Sequence, residues 1–154
     1  MNLFLLASLL IGFVAGLRSM LAPAAIAWAG HLGVIDLSGT ALRFMATPIF
    51  LALFSFLALG ELIADKLPFI PKRTAAVPLL FRIGSGALCG AGVAAPYSLG
   101  VGAIVGALGA IIGAFAGYYT RRRLVHQMGL RDLFVALGED ALALGLAILS
   151  LKLI

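Results

Sequence analysis

Five of the ionisable side chains that fall inside, or at the ends of, long apolar runs could carry chemistry: Arg18, Glu61, Asp65, Glu139 and Asp140. A charged group in such a run is costly in lipid, and it normally faces a bundle interior or a wet cavity. Glu61 and Asp65 are four residues apart, so on a helix they share a face. Glu139 and Asp140 are adjacent, so on a helix they point about 100° apart. Asp140 shares its side with Ala136, Ala143 and Ala147, which favours close packing there. A cluster of Arg18, Glu61 and Glu139 or Asp140 could bind a small ion or polar solute, or take up a proton. Burial would raise the carboxylate pKa and the arginine would lower it again. The same residues could instead be structural pairs that hold helices together, with Asp65 at the water boundary.

Other chemistry has no residues to carry it. No Ser-His-Asp set, phosphate-binding glycine loop or HExxH pattern occurs, so neither an enzyme nor a bound cofactor is expected. Cys89 is the single cysteine, which excludes an intrachain disulfide and a cysteine metal cluster. His31 and His126 fall in expected loops on opposite sides, which leaves no metal site. The net charge of +5 would suggest nucleic acid in a soluble protein. Here the basic residues cluster at the ends of apolar runs, as at cytoplasmic membrane flanks, so no nucleic-acid partner is expected. The chain is 63% hydrophobic and only 11% charged. Soluble domains carry about 25% charged residues. With a mean hydropathy of +1.17, the natural solvent is the bilayer.

These residues must be positioned by about six apolar segments. The first is Leu3 to Leu17, without a basic leader before it, and so it reads as a retained span. Gly16-Leu17-Arg18-Ser19 breaks the run, and a short, alanine-rich second segment follows from Met20 to Ile35. After a polar turn at Asp36 to Thr40, the third runs from Arg43 to Leu67 and carries Pro48 and Glu61. A loop from Lys66 to Pro78 holds three prolines, and the fourth segment is Leu79 to Ala95. Pro96-Tyr97-Ser98 makes a tight turn into the fifth. That segment, Leu99 to Tyr119, is uncharged and ends in Arg121-Arg122-Arg123. Its glycines Gly102, Gly106, Gly109, Gly113 and Gly117 repeat every three or four residues. They form one stripe on a central transmembrane helix, where small residues let other backbones approach closely. A connector at His126 to Gly129 leads to the sixth segment, Leu130 to Leu153.

With six crossings, Arg18, Lys66, Lys72, Arg73, Arg82, Arg121, Arg122, Arg123 and Arg131 share one side, nine of the eleven basic residues. The positive-inside rule makes that side cytoplasmic and places both termini outside. Fusing the first two segments gives five spans with the same cytoplasmic loops. It also puts Arg18 at mid-membrane, at a cost of about 2.5–3.5 kcal/mol. A re-entrant second segment is a variant of the six-segment reading.

Cutting the chain at residue 77 gives halves 1–77 and 78–154, each with three apolar segments. Phe56-Leu57-Ala58-Leu59-Gly60-Glu61 and Phe134-Val135-Ala136-Leu137-Gly138-Glu139 agree at five of six places. An inverted repeat within a single membrane domain, 1–154, is the architecture this pattern suggests. Against it, Glu61 ends its segment whereas Glu139 lies early in its own.

The stretches Gly16-Leu17-Arg18-Ser19 with Ala22-Pro23, Gly60-Glu61-Leu62-Ile63-Ala64-Asp65-Lys66-Leu67-Pro68, and Gly138-Glu139-Asp140 carry a resemblance over nearly the whole chain. The chain resembles a bacterial family of small integral-membrane proteins catalogued as domain of unknown function four-one-two-six. The resemblance implies the class and brings no mechanism.

The expectation is therefore an all-α, multi-pass transmembrane bundle in a bacterial cytoplasmic membrane. It would act as a transporter or channel-like protein, with an ion or solute site at Arg18, Glu61, Glu139 and Asp140. The alternative is an assembly protein whose glycine faces pack partner helices or further copies of the chain, without transport.

Overall fold

The computed structural model describes residues 3–64 and 74–154. Asp65 and the loop as far as Arg73 lie outside the described residues. The described residues form six α-helices: α1 (Leu3–Leu17), α2 (Leu21–His31), α3 (Pro48–Ala64), α4 (Ala76–Val93), α5 (Leu99–Arg122) and α6 (Asp132–Lys152). A 3₁₀ helix, Ala41–Ala46, precedes α3, and a π-helical turn, Arg123–Gln127, follows α5.

Local chemistry moves several boundaries from those expected. The second segment was expected to reach Ile35, but Gly33 stops α2 at His31. Gly33 adopts φ +74°, and the Val34 N–H bonds back to the Ala29 carbonyl at 2.8 Å, a left-handed C-terminal cap. Eleven residues of helix extend only about 16 Å, half of a hydrocarbon core. The third helix was expected from Arg43 and begins at Pro48, whose fixed φ and missing N–H suit the first helical position. The fourth starts at Ala76 rather than Leu79, because Pro78 is accommodated in the first turn.

Contacts between named residues fix the helix directions. Gly12 of α1 packs on Gly106 of α5 and Gly16 on Ala110 and Ala114, so α1 and α5 run parallel. Ser8 Oγ donates to the Gly90 carbonyl at 3.1 Å while Arg82 reaches Gly16, so α4 runs opposite to α1. Ser150 Oγ donates to the Ala7 carbonyl at 2.8 Å while Arg18 meets Asp140, so α6 also opposes α1. Glu61 meets Met20, and Trp28 Nε1 donates to Ser55 Oγ at 3.1 Å, so α2 and α3 are antiparallel. Ile26 of α2 lies against Gly92, near the far end of α4, so α2 turns back from α1 instead of continuing it. Direction therefore alternates along the chain, and α1 and α2 are separate helices, not one fused span.

The stripe helix was expected at the centre, and the structure places α1 there instead. Ala7, Ile11, Val14 and Ala15 are fully buried, and α1 packs against α2, α4, α5 and α6. α5 buries one side only. Gly102 and Gly106 face Gly86, Gly90 and Ala94 of α4, while Gly109 and Gly113 face Leu9 and Phe13 of α1. Gly117 is buried as well. Its other side presents Ile104, Leu108 and Ile112 outward. Glycine lets the neighbours approach, but only on the face that carries it.

Candidate functional site

The site is built on the three residues that interrupt α1 and α2. A helix end leaves carbonyls without intrahelical donors, and the next helix start leaves N–H groups without acceptors. Here side chains serve both. Arg82 of α4 is buried, and its Nη1 donates to the Gly16 and Leu17 carbonyls at 2.8 Å each. Glu61 of α3 accepts from the Ser19 N–H, the Ser19 hydroxyl and the Met20 N–H, all at 2.7 Å. It thus places a carboxylate at the positive end of α2. Ser85 Oγ closes the loop by donating to the Ser19 carbonyl at 2.5 Å. Arg82 Nη2 and Glu61 Oε1 are 3.5 Å apart, so the two capping groups also balance each other's charge.

Arg18 turns the other way. It is wholly buried, and its Nη2 lies 2.5 Å from Asp140 Oδ1 of α6. Asp140 keeps 17% of its side-chain surface, which leaves an approach from outside. Among the described residues, two arginines, Arg18 and Arg82, and two carboxylates, Glu61 and Asp140, stand in one layer. Its depth follows from the helix starts. Arg82 is six residues into α4 and Asp140 eight into α6, or about 9 and 12 Å along their axes. Such a layer holds helices together.

The layer thus brings together Arg18, Glu61 and Asp140. It leaves out Glu139, whose carboxylate lies 4.0 Å from Arg121 of α5 beside a separate cavity. Arg121 also holds Asp132 with two hydrogen bonds of 2.8 Å. Sequence reasoning missed Arg82, Ser19 and Ser85. The available signal was Arg82 itself, a basic residue in an otherwise uncharged apolar segment. His31 and His126 lie apart, His31 facing the Ala46 carbonyl and His126 in the π turn. No group of three or more metal-ligating side chains occurs among the described residues. Cys89 is buried beside Ser85, and its thiol is packed away from solvent.

Fold and site together define a class: an all-helical bundle with a buried arginine–carboxylate layer and three helical stretches, 76–93, 99–127 and 132–152, long and apolar enough to cross a membrane. Residues 5–153 match the model of the family described as "Domain of unknown function (DUF4126)", and the chain belongs to that family. Comparison with curated proteins and with solved structures returns no match.

Proposed function

We propose that this chain is a non-enzymatic, multi-pass protein of the bacterial cytoplasmic membrane that binds and moves a small ion or polar solute at the Arg18–Asp140 pair. The observation that carries the reading is a fully buried guanidinium, at the break between α1 and α2, held by a carboxylate that keeps 17% of its side-chain surface exposed. Intramembrane charge of that kind is expensive, and it commonly marks an ion or substrate pathway. Glu61 and Arg82 would form the fixed wall of the site, and Asp140 the exchanging group. The test is charge movement across proteoliposomes on a solid support, stepped in turn through proton, sodium, chloride and phosphate concentration. The wild-type protein should respond to at least one ion. Asp140→Asn should reduce that response about tenfold, the equivalent of ~1.4 kcal/mol, at unchanged folded yield. Silence to all four ions would sink the proposal.

Six crossings belong to the same proposal. Alternating helix direction supports them, and it sets α1–α3 opposite in sense to α4–α6, as an inverted repeat requires. The short α2 is then completed by the turns and the 3₁₀ helix around Leu37 and Met45, both buried. In a Cys89→Ala background, Ser38→Cys should react with an impermeant maleimide in intact cells. Labelling only after permeabilisation would reverse the proposed orientation. The assembly reading, including a homo-oligomer, has one observation in its favour. A side chain added at Gly60 or Gly145 would meet nothing within 4 Å, so these helical glycines are open to a partner. The α5 stripe is not open in this way, because α1 and α4 already fill it.

A further inference from the structure

α6 packs on α1 and meets α5 little. One face of α6 is anchored. Ala136, Ala143 and Ala147 are buried there, Asp140 holds Arg18, and Ser150 holds the Ala7 carbonyl. α5 is anchored through Gly102 to Gly113, against α4 and α1. Past the buried Gly117, Tyr119 and Thr120 are exposed, and the helix widens into the π turn. The chain then reverses at Gly129, in the left-handed region at φ +67°. Between this end of α5 and the start of α6 lies a cavity of about 380 Å³. Leu17, Ala116, Thr120, Leu124, Leu130 and Glu139 are among its walls. Leu17 and Glu139 each stand one residue from a member of the Arg18–Asp140 pair. Arg121 ties the two walls together. It makes two hydrogen bonds of 2.8 Å to Asp132 and lies 4.0 Å from Glu139. Asp132 and Glu139 are seven residues apart, so they share a face of α6. The charge of Asp140 acts on Arg121 as well. Asp132 keeps 57% of its side-chain surface, so water and salt reach this tie.

We propose that the Arg121–Asp132 pair is a latch on this cavity and controls the access of water to Asp140. Closed, it holds the end of α5 against α6. Released, it lets the last turn of α5 and the π turn move away, while α6 stays on α1. Water then enters beside Glu139 and reaches Asp140, the next residue of the same helix. A bidentate arginine–carboxylate pair has a defined geometry, so the closed arrangement is a single one. An exposed pair stabilises only weakly, so the latch opens and closes readily. Its regulatory meaning rests on the proposed role of Asp140 as the exchanging group. The latch itself is read by water access, without any ion movement, so either idea can fail without the other.

The test uses the full chain in phosphatidylcholine nanodiscs, in a Cys89→Ala background, with Ala116→Cys as reporter. Ala116 lines the cavity and is half-buried, and cysteine adds a single heavy atom there. The probe is hydroxyethyl methanethiosulfonate, a neutral, water-soluble thiol reagent. Asp132→Asn should raise the labelling rate at Ala116→Cys about fivefold, the release expected from losing one exposed ion pair. Salt at about 1 M, which screens charges beyond about 3 Å, should raise the rate where Asp132 is kept. The same salt should leave the Asp132→Asn protein unchanged. Labelling at Gln127→Cys, exposed on the π turn, should stay the same throughout. Equal rates at Ala116→Cys with and without Asp132 would overturn the proposal. So would no reaction in either protein, or an equal rise at Gln127→Cys. The salt measurement leaves the latch residues untouched, so it decides the matter even where Asp132→Asn lowers yield. A rate indifferent to salt then sinks the latch.

Discussion

Arg18→Met should lose about 3–5 kcal/mol of stability, read as a large drop in thermal midpoint in detergent and in folded yield. Arg18 is wholly enclosed and Asp140 mostly so. Removing the guanidinium takes from the mostly buried Asp140 carboxylate the positive charge that lies against it. That imbalance, more than the lost attraction, sets the size of the effect. The double variant Arg18→Met/Asp140→Leu should recover most of the loss, because well-packed apolar residues often replace a buried pair at little cost. This pair of measurements separates architecture from activity. A double variant that folds well and moves no ion identifies the pair as functional. An Arg18→Met protein as stable as the wild type would show that the buried pair does not hold α1 to α6.

Gly106→Ala is the second large expectation. A Cβ at Gly106 would overlap the Gly86 carbonyl oxygen and crowd the Gly90 Cα, and the Gly106 carbonyl itself lies against Gly12 of α1. The obstructing atoms are backbone on both sides, so no rotamer change relieves them. Alanine gains about 0.5–1 kcal/mol in helix propensity, and overpacking typically costs about 1–3 kcal/mol, occasionally more. With three helices meeting at one residue, the loss should lie at the upper end of that range. Gly145→Ala is the control. Its added methyl enters open space, so only the propensity gain remains, and the thermal midpoint should hold or rise. Similar behaviour of the two variants would refute the packing argument.

The apolar segments and the break after Leu17 were legible because hydropathy and a lone arginine signal them directly. That Arg18, Arg82, Arg121 and Arg131 fall at one end of the bundle was legible from where each sits in its apolar segment. Which groups pair was not. Glu139 and Asp140 differ by one residue and about 100°, and only the position of α6 against α1 decides that Asp140 meets Arg18 while Glu139 meets Arg121. Arg82 read as a topological flank, because nothing in a sequence says that a side chain on the fourth helix will serve the last carbonyls of the first. The centre of the bundle was misplaced for a related reason. A glycine stripe advertises close contact, but it does not say which of the two touching helices is enclosed. α1 is apolar all round and its only stripe signal is Gly12 and Gly16, yet it is the helix surrounded. The Glu61 carboxylate was read as a candidate binding group, and its three hydrogen bonds to Ser19 and Met20 show how fully one structural task occupies it.

The enclosed position of α1 has a consequence for how the protein is made. The ribosome delivers this helix first, yet Arg82, Gly106 and Asp140, the groups that complete its surroundings, emerge in the second half of synthesis. Until then the Gly16 and Leu17 carbonyls lack the Arg82 guanidinium that caps them in the folded chain. The break after α1 therefore reaches its final hydrogen bonding only once α4 has been made.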